Sequence, residues 1–136
     1  MWRRRGAIPI AELGAIGERR AAWYFRLRGY RIVDRNVRFR HGEIDLIVRR
    51  GRTLVFVEVK TRQSLSAGEG YDAVDRRKQL RLVALVDAYL ARAKGPTDVR
   101  YDVVSLFWDG RRFRLTHFAD AFRPRSDPRY PWKWTI

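Results

Sequence analysis

The sequence predicts an α/β fold: a mixed central β-sheet of about five strands flanked by helices. Three observations carry that prediction. Helical and alternating patterns follow one another as helix, three strands, helix, two strands. The middle strands are apolar on both faces, with Ile44, Leu46 and Val48 on one side and Leu54 to Val59 spread over both, so both faces need cover. A chain of 136 residues, 46% of them hydrophobic, is one domain long enough to bury a core.

The elements follow in chain order. Residues 1–9 read as a basic arm. From about Ala11 to Arg28 the apolar spacing is helical, and Gly29 stands where a helix C-cap wants glycine. Tyr30–Val37 alternates and is rich in β-branched and aromatic residues, as a strand is. GEIDLIV and TLVFVEVKT are two further strands around Arg50-Gly51-Arg52, and QSLSAGEGY over 63–71 is a loop. A second helix is expected from about Asp72, a suitable N-cap, to Ala93, closed by Gly95-Pro96. YDVVSLF and RRFRLTHF are strands joined through Asp109-Gly110, a hairpin signal. The single domain is expected to end near residue 122. Residues 123–136 form a basic tail with three prolines and Tyr130, Trp132 and Trp134.

Charge narrows the function classes. Thirty Lys+Arg against fifteen Asp+Glu leave a net +15, which favours a polyanionic partner, nucleic acid ahead of an anionic membrane. With no cysteine, disulfides and thiolate metal sites are excluded, and His41 and His117 alone argue against a histidine-rich zinc site. Any metal would be held by oxygen, which suits Mg²⁺ or Mn²⁺. The first twenty residues pair a basic head with a short apolar run, but Glu12 interrupts it and no A-x-A site follows. No stretch reaches the ~18 apolar residues of a membrane span. A cytoplasmic protein with no membrane partner is expected.

The carboxylates of the middle strands are the strongest local signal. Unpaired buried carboxylates are costly, yet Glu43, Asp45, Glu58 and Lys60 all fall in these strands. Side chains two residues apart share a face, which joins Glu43 to Asp45 and Glu58 to Lys60. A two-residue turn with Gly51 first fits a type II′ hairpin, and its register sets Asp45 opposite Glu58 and Glu43 opposite Lys60. Opposed carboxylates repel. A divalent cation between them reverses the sign, and Lys60 neutralises part of the charge without one. The alternative, an exposed ion-pair ladder, is at odds with the apolar LVFVEV around Glu58. Glu18 lies on a helical stripe with Ala21, Ala22 and Phe25, where an acid either meets a buried polar partner or reaches a site. Arg76, Arg77 and Lys78 crowd the first turns of the second helix against its dipole. A bound phosphate would compensate there; a solvated charge run is the alternative.

The string GYRIVDRNVRFRHGEIDLIVRRGRTLVFVEVKTR, preceded by GERRAAWYF and followed by K-x-x-x-L and YDVV, resembles the bacterial YraN family. That family is similar to the PD-(D/E)xK nucleases, restriction-endonuclease-like folds that include Holliday junction resolvases. The likeness covers about residues 12–122. It implies Asp45 as the first acid, Glu58 and Lys60 as the E-x-K pair and Glu18 as the helical glutamate. Ile44 stands where proline often precedes that first acid. The implied reaction is metal-dependent phosphodiester hydrolysis by a structure-specific endonuclease, on branched or flapped DNA. Asp45, Glu58 and the Val59 carbonyl would hold Mg²⁺ or Mn²⁺, with Glu43 assisting. Arg38, Arg40 and Arg62, with Arg76, Arg77 and Lys78, would grip flanking phosphates. Such resolvases commonly act as dimers, so a homodimer is admitted. A non-catalytic nucleic-acid-binding module, or an adaptor of repair or ribosome machinery, remains as an alternative from the residues themselves.

Overall fold

The computed structural model describes residues 7–39, 42–63, 83–89, 91 and 98–121. Helix α1 (Ile10–Arg26) is followed by β1 (Arg31–Phe39), β2 (Gly42–Arg50) and β3 (Thr53–Arg62). A helical segment over 83–89, called α2 here, precedes β4 (Asp98–Trp108) and β5 (Phe113–Phe118). The strands form one sheet in the order β1-β2-β3-β4-β5. Strands β3 and β4 run parallel and every other neighbouring pair is antiparallel. Parallel neighbours need a crossover, and α2 lies in it. The mixed five-stranded α/β sheet expected from the sequence is therefore present. No described helix is long and apolar enough to cross a membrane.

Alternate residues of β3 feed two cores. Val55 and Val57 pack with Ala21, Ala22 and Phe25 of α1, and with Leu46, Val48, Val104 and Leu106. Leu54 and Phe56 pack with Leu85 and Val86 of α2, and with Ile47, Val99 and Tyr101. The two helices thus cover opposite faces, which is why β3 reads as a continuous apolar run. Ile44 departs from the expected face: it packs with Val37 on the α2 side, whereas Leu46 and Val48 face α1. The ladder from β2 to β3 stops at Leu46, and Ile44 pairs only with Val37 of β1.

Local chemistry sets the ends of the elements. Helix α1 closes as a Schellman motif: Tyr30 N–H donates to the Phe25 carbonyl and Gly29 N–H to that of Arg26, at 3.0 and 3.1 Å. Gly29 takes φ 85°, and the Phe25 and Tyr30 rings meet edge-on across the turn. Gly51 takes φ 61° between the paired Arg50 and Thr53, as a II′ turn requires of its first residue. The second hairpin is wider than Asp109-Gly110 alone suggests. Asp109 Oδ1 accepts from the amides of Arg111 and Arg112 at 2.8 and 2.9 Å, so those residues stay in the loop and β5 begins at Phe113. Strand β1 extends past Val37 to Phe39 and carries an irregularity between Ile32 and Asp34. The described helix over 83–89 falls inside the expected 72–93. Apart from Ala91, the rest of that span, with Arg40, His41, the residues beyond Gln63 up to it and the aromatic tail, lies outside the described residues.

Candidate functional site

The hairpin register expected from Gly51 holds from Arg50–Thr53 to Leu46–Val57 and then lapses. Toward its start β2 remains paired with β1 through Ile44 and Glu43, while β3 continues beside β4 through Glu58, Lys60 and Arg62. The two strands diverge where Asp45 and Glu58 would otherwise form a ladder pair. Repulsion between opposed carboxylates favours that parting. Asp45 also supplies a replacement for the ladder: its Oδ2 accepts from the backbone amide of Val59 at 2.8 Å. The direct pairing of Asp45 with Glu58 and of Glu43 with Lys60 is thus not observed; the acids flank a divergence instead.

Electrostatics shows which groups are brought together. Burial, and then the negative fields of Glu18, Glu58 and Glu43, raise the Asp45 pKa from 3.8 to about 6, and the Val59 hydrogen bond only partly offsets them. All four acids named from the sequence therefore act on one locus. Glu58 is half-buried with its Oε2 sealed from solvent, and Lys60, two residues on, is half-buried as well. Glu43 is partly exposed and stands 3.9 Å from Arg38 Nε, so it balances a neighbour on β1. Arg62 is half-buried at the end of β3. Arg40, Arg76, Arg77 and Lys78 lie outside the described residues. Among those described, no three or more His, Asp or Glu side chains are arranged to hold a metal ion.

Glu18 reaches the site because α1 sits close. Gly17 faces β3, and a Cβ there would collide with Thr61 Oγ1 and come within 2.9 Å of Thr61 Cβ. Beside it, Asn36 with its amide nitrogen turned to Glu18 donates to Oε1 and Oε2 at 3.3 and 3.2 Å. Asn36 lies between the Arg35–Leu46 and Val37–Ile44 pairs, opposite Asp45, and takes φ 49°. Neither Asn36 nor Gly17 is identified by the sequence reading. The available signal was residue type: asparagine tolerates the left-handed region, so one in a strand pattern marks a special backbone. Tyr101 was also missed. It is buried on the α2 face, and burial, Glu58 and Asp45 together push its hydroxyl well above the ordinary tyrosine range.

A second polar group lies under α1. Asp102 is fully buried, accepting from Arg100 Nε and Nη2 at 2.8 and 2.9 Å and from the Asp120 amide at 2.9 Å. His117 Nε2 stands 2.6 Å from its Oδ2, and His117 Nδ1 lies 3.0 Å from the Tyr24 hydroxyl. Burial pushes the Asp102 carboxyl up, but hydrogen bonds from His117, Arg100 and Asp120 bring it below the usual carboxylate value. An ionised carboxylate only accepts, so Nε2 carries the proton toward Asp102.

Comparison with known proteins gives a consistent family result. The Uncharacterised protein family UPF0102 matches residues 17–106. A UPF0102 protein of Chlorobium chlorochromatii is 44% identical over 117 residues, covering 82% of this chain and 91% of that protein. One of Symbiobacterium thermophilum is 50% identical over 96 residues, covering 70% and 81%. One of Alkaliphilus oremlandii is 40% identical over 114 residues, covering 82% and 97%. None of these names states an activity.

Proposed function

This chain belongs to the UPF0102 family, and we propose that it hydrolyses phosphodiester bonds of nucleic acid, branched or flapped DNA being the substrate class. The observation that supports this best is the poise of Asp45: a half-buried acid within the fields of Glu18, Glu58 and Glu43, with a pKa near 6. A folded protein keeps such an arrangement at a cost in stability. One perturbed acid with three others around it, where two strands part, supports a site built for chemistry.

The donor set fits one divalent cation held through few protein ligands. Asp45, Glu58 and the Val59 carbonyl offer only oxygen, and magnesium is commonly bound by one or two carboxylates while retaining its own waters. Burial does most to lift Asp45, and the repulsion from Glu18, Glu58 and Glu43 that adds to it is what a cation would relieve. When bound, Mg²⁺ or Mn²⁺ would supply Lewis acidity at the scissile phosphate and a bound water of lowered pKa. Lys60 shares a face with Glu58 and gives its ammonium to the charge that grows on the phosphoryl oxygens. Glu18, oriented by Asn36, accepts from water at the edge of the site. Arg38 and Arg62 meet flanking phosphates without reading sequence.

Incubation with branched, flapped and single-stranded DNA and with RNA, in Mg²⁺, Mn²⁺ or EDTA, tests this. Cleavage is expected with either metal and not in EDTA. Glu58→Ala and Lys60→Ala are expected to lower the rate by about 10²-fold or more while binding stays nearly unchanged. Equal cleavage by wild type and Lys60→Ala would overturn the catalytic role. A non-catalytic binding module is the second reading, favoured by the lack of a three-acid metal cage among the described residues. Tight binding with no turnover under any metal would select it.

A further inference from the structure

Helix α1 has two flanks. Glu18 turns to Asn36 of β1 on one; on the other a groove of about 600 Å³ runs between the helix and the edge strand β5. Arg19, Arg20, Trp23 and Arg28 line it from α1, and Phe113 and Leu115 from β5. Cations lie over aromatic rings in it and, at Arg26, beside it. The Arg20 guanidinium is 4.8 Å from the Phe113 centroid, that of Arg28 is 3.5 Å from Tyr24, and that of Arg26 is 5.4 Å from Trp23. Among the described residues none of these arginines is ion-paired. Trp23 is 59% exposed and Leu27 78%. The wall is rigid from beneath, because the Tyr24 hydroxyl is held by His117, itself held by the buried Asp102.

The chemistry selects among occupants. A second copy docked here through a two-fold axis would set these arginines against their own counterparts, on a chain already carrying +15. An interfacial helix keeps its cations on the face away from its apolar side chains, whereas here Arg20, Arg26 and Arg28 lie over the aromatic rings themselves. A duplex offers phosphates but keeps its base faces stacked, so exposed rings gain nothing from it. A single strand offers both an open base face and a phosphate chain.

We propose that the α1–β5 groove binds single-stranded nucleic acid, with bases stacked on Trp23 and on the guanidinium planes of Arg20 and Arg28, and phosphates at Arg19 and Arg26. This rests on nucleic acid being the partner, as proposed above, and not on cleavage. The groove lies over β4 and β5 on the α1 face, whereas Glu58 and Lys60 alternate onto the α2 face, so the groove is a surface separate from the acid site.

Fluorescence anisotropy in EDTA tests the groove without turnover. The probes are an oligo-dT of about 15 nucleotides, the matching oligo-rU, an abasic oligonucleotide of equal length and a duplex. Trp23→Ala is expected to weaken the single strands about tenfold and to leave the abasic and duplex probes unchanged, with Trp23→Phe restoring most of the loss. The Arg19→Gln/Arg20→Gln variant should weaken every single-stranded probe and lower the salt slope by about 0.7, the loss of the one phosphate contact at Arg19. These side chains are at the surface, and circular dichroism checks that each variant is folded. Oligo-dT affinity unchanged in both variants, or equal affinity for the abasic and base-bearing probes, would overturn the groove. So would a Trp23→Ala defect confined to anionic phospholipid vesicles or to a dimer seen by sedimentation. A wild-type chain that binds none of the probes overturns the partner itself, a result distinct from failure of the groove.

Discussion

At the residue scale, Asp45 holds its charge against its surroundings, and pH exposes that. The unfolded chain ionises this carboxyl near 3.8, whereas burial and the three neighbouring acids move it to about 6 in the fold. Between those values the native state binds a proton that the unfolded state has lost. The contribution is therefore fully present below the lower value and is lost as pH rises through about 6, amounting to about 3 kcal/mol once both states are ionised. Asp45→Asn keeps an oxygen for the Val59 amide and removes the charge. The variant is expected to be more stable than the parent by about 1–3 kcal/mol at pH 7 to 8, roughly the size of that shift. The difference should vanish below about pH 4, where both side chains are neutral, and urea unfolding across pH reads it directly. If the proposed cation binds here, added Mg²⁺ should raise the parent's Tm increasingly as pH passes about 6, and Asp45→Asn should not respond. The acid cluster was legible because strand parity and one glycine turn fix a register. Asn36 was not, because it depends on a positive φ inside β1 that no alternation pattern reveals.

At the scale of the element, α1 matters because of how near it lies to β3. Gly17 permits that approach, and any Cβ there meets the Thr61 side chain. Gly17→Ala should destabilise the fold by about 1–3 kcal/mol, the usual cost of overpacking, and should lift Glu18 away from Asp45. Thr61→Ala removes the two outermost obstructing atoms, so part of the loss should return in the double variant. A double-mutant cycle by urea unfolding measures that coupling, and strict additivity would show that the two residues do not press on each other. Elements whose ends rest on one local signal were readable from the sequence, as Gly29 for the Schellman closure and Gly51 for the II′ turn show. The wider β4–β5 loop was not, because it depends on Asp109 taking two amides out of the ladder. The group around Asp102 was also hidden. Its members Tyr24, Arg100 and His117 come from three elements, and only the packing of α1 over β4 and β5 brings them together.

At the scale of the whole molecule, a net +15 on 136 residues acts on stability and on the proposed binding with opposite signs. Like charges repel one another in the compact state, and that repulsion is long-ranged at low ionic strength, where the Debye length is about 30 Å at 0.01 M and about 8 Å at 0.15 M. Raising salt across this range should therefore increase the Tm of the free protein. Nucleic-acid binding follows the reverse course, because each phosphate contact releases condensed counterion and log K falls with log salt by about 0.9 per contact on duplex DNA. Both quantities can be followed over one salt series, Tm by calorimetry and affinity by anisotropy in EDTA. The expected result is a rising Tm beside a falling affinity. A Tm flat in salt would mean that the arginines are compensated within the fold. An affinity flat in salt would mean that phosphates are not what the arginines meet. Because the acid cluster itself repels phosphate, Asp45→Asn should tighten duplex binding slightly in EDTA. The same substitution would abolish cleavage in Mg²⁺, and that opposition separates a reacting carboxylate from one that only shapes the surface.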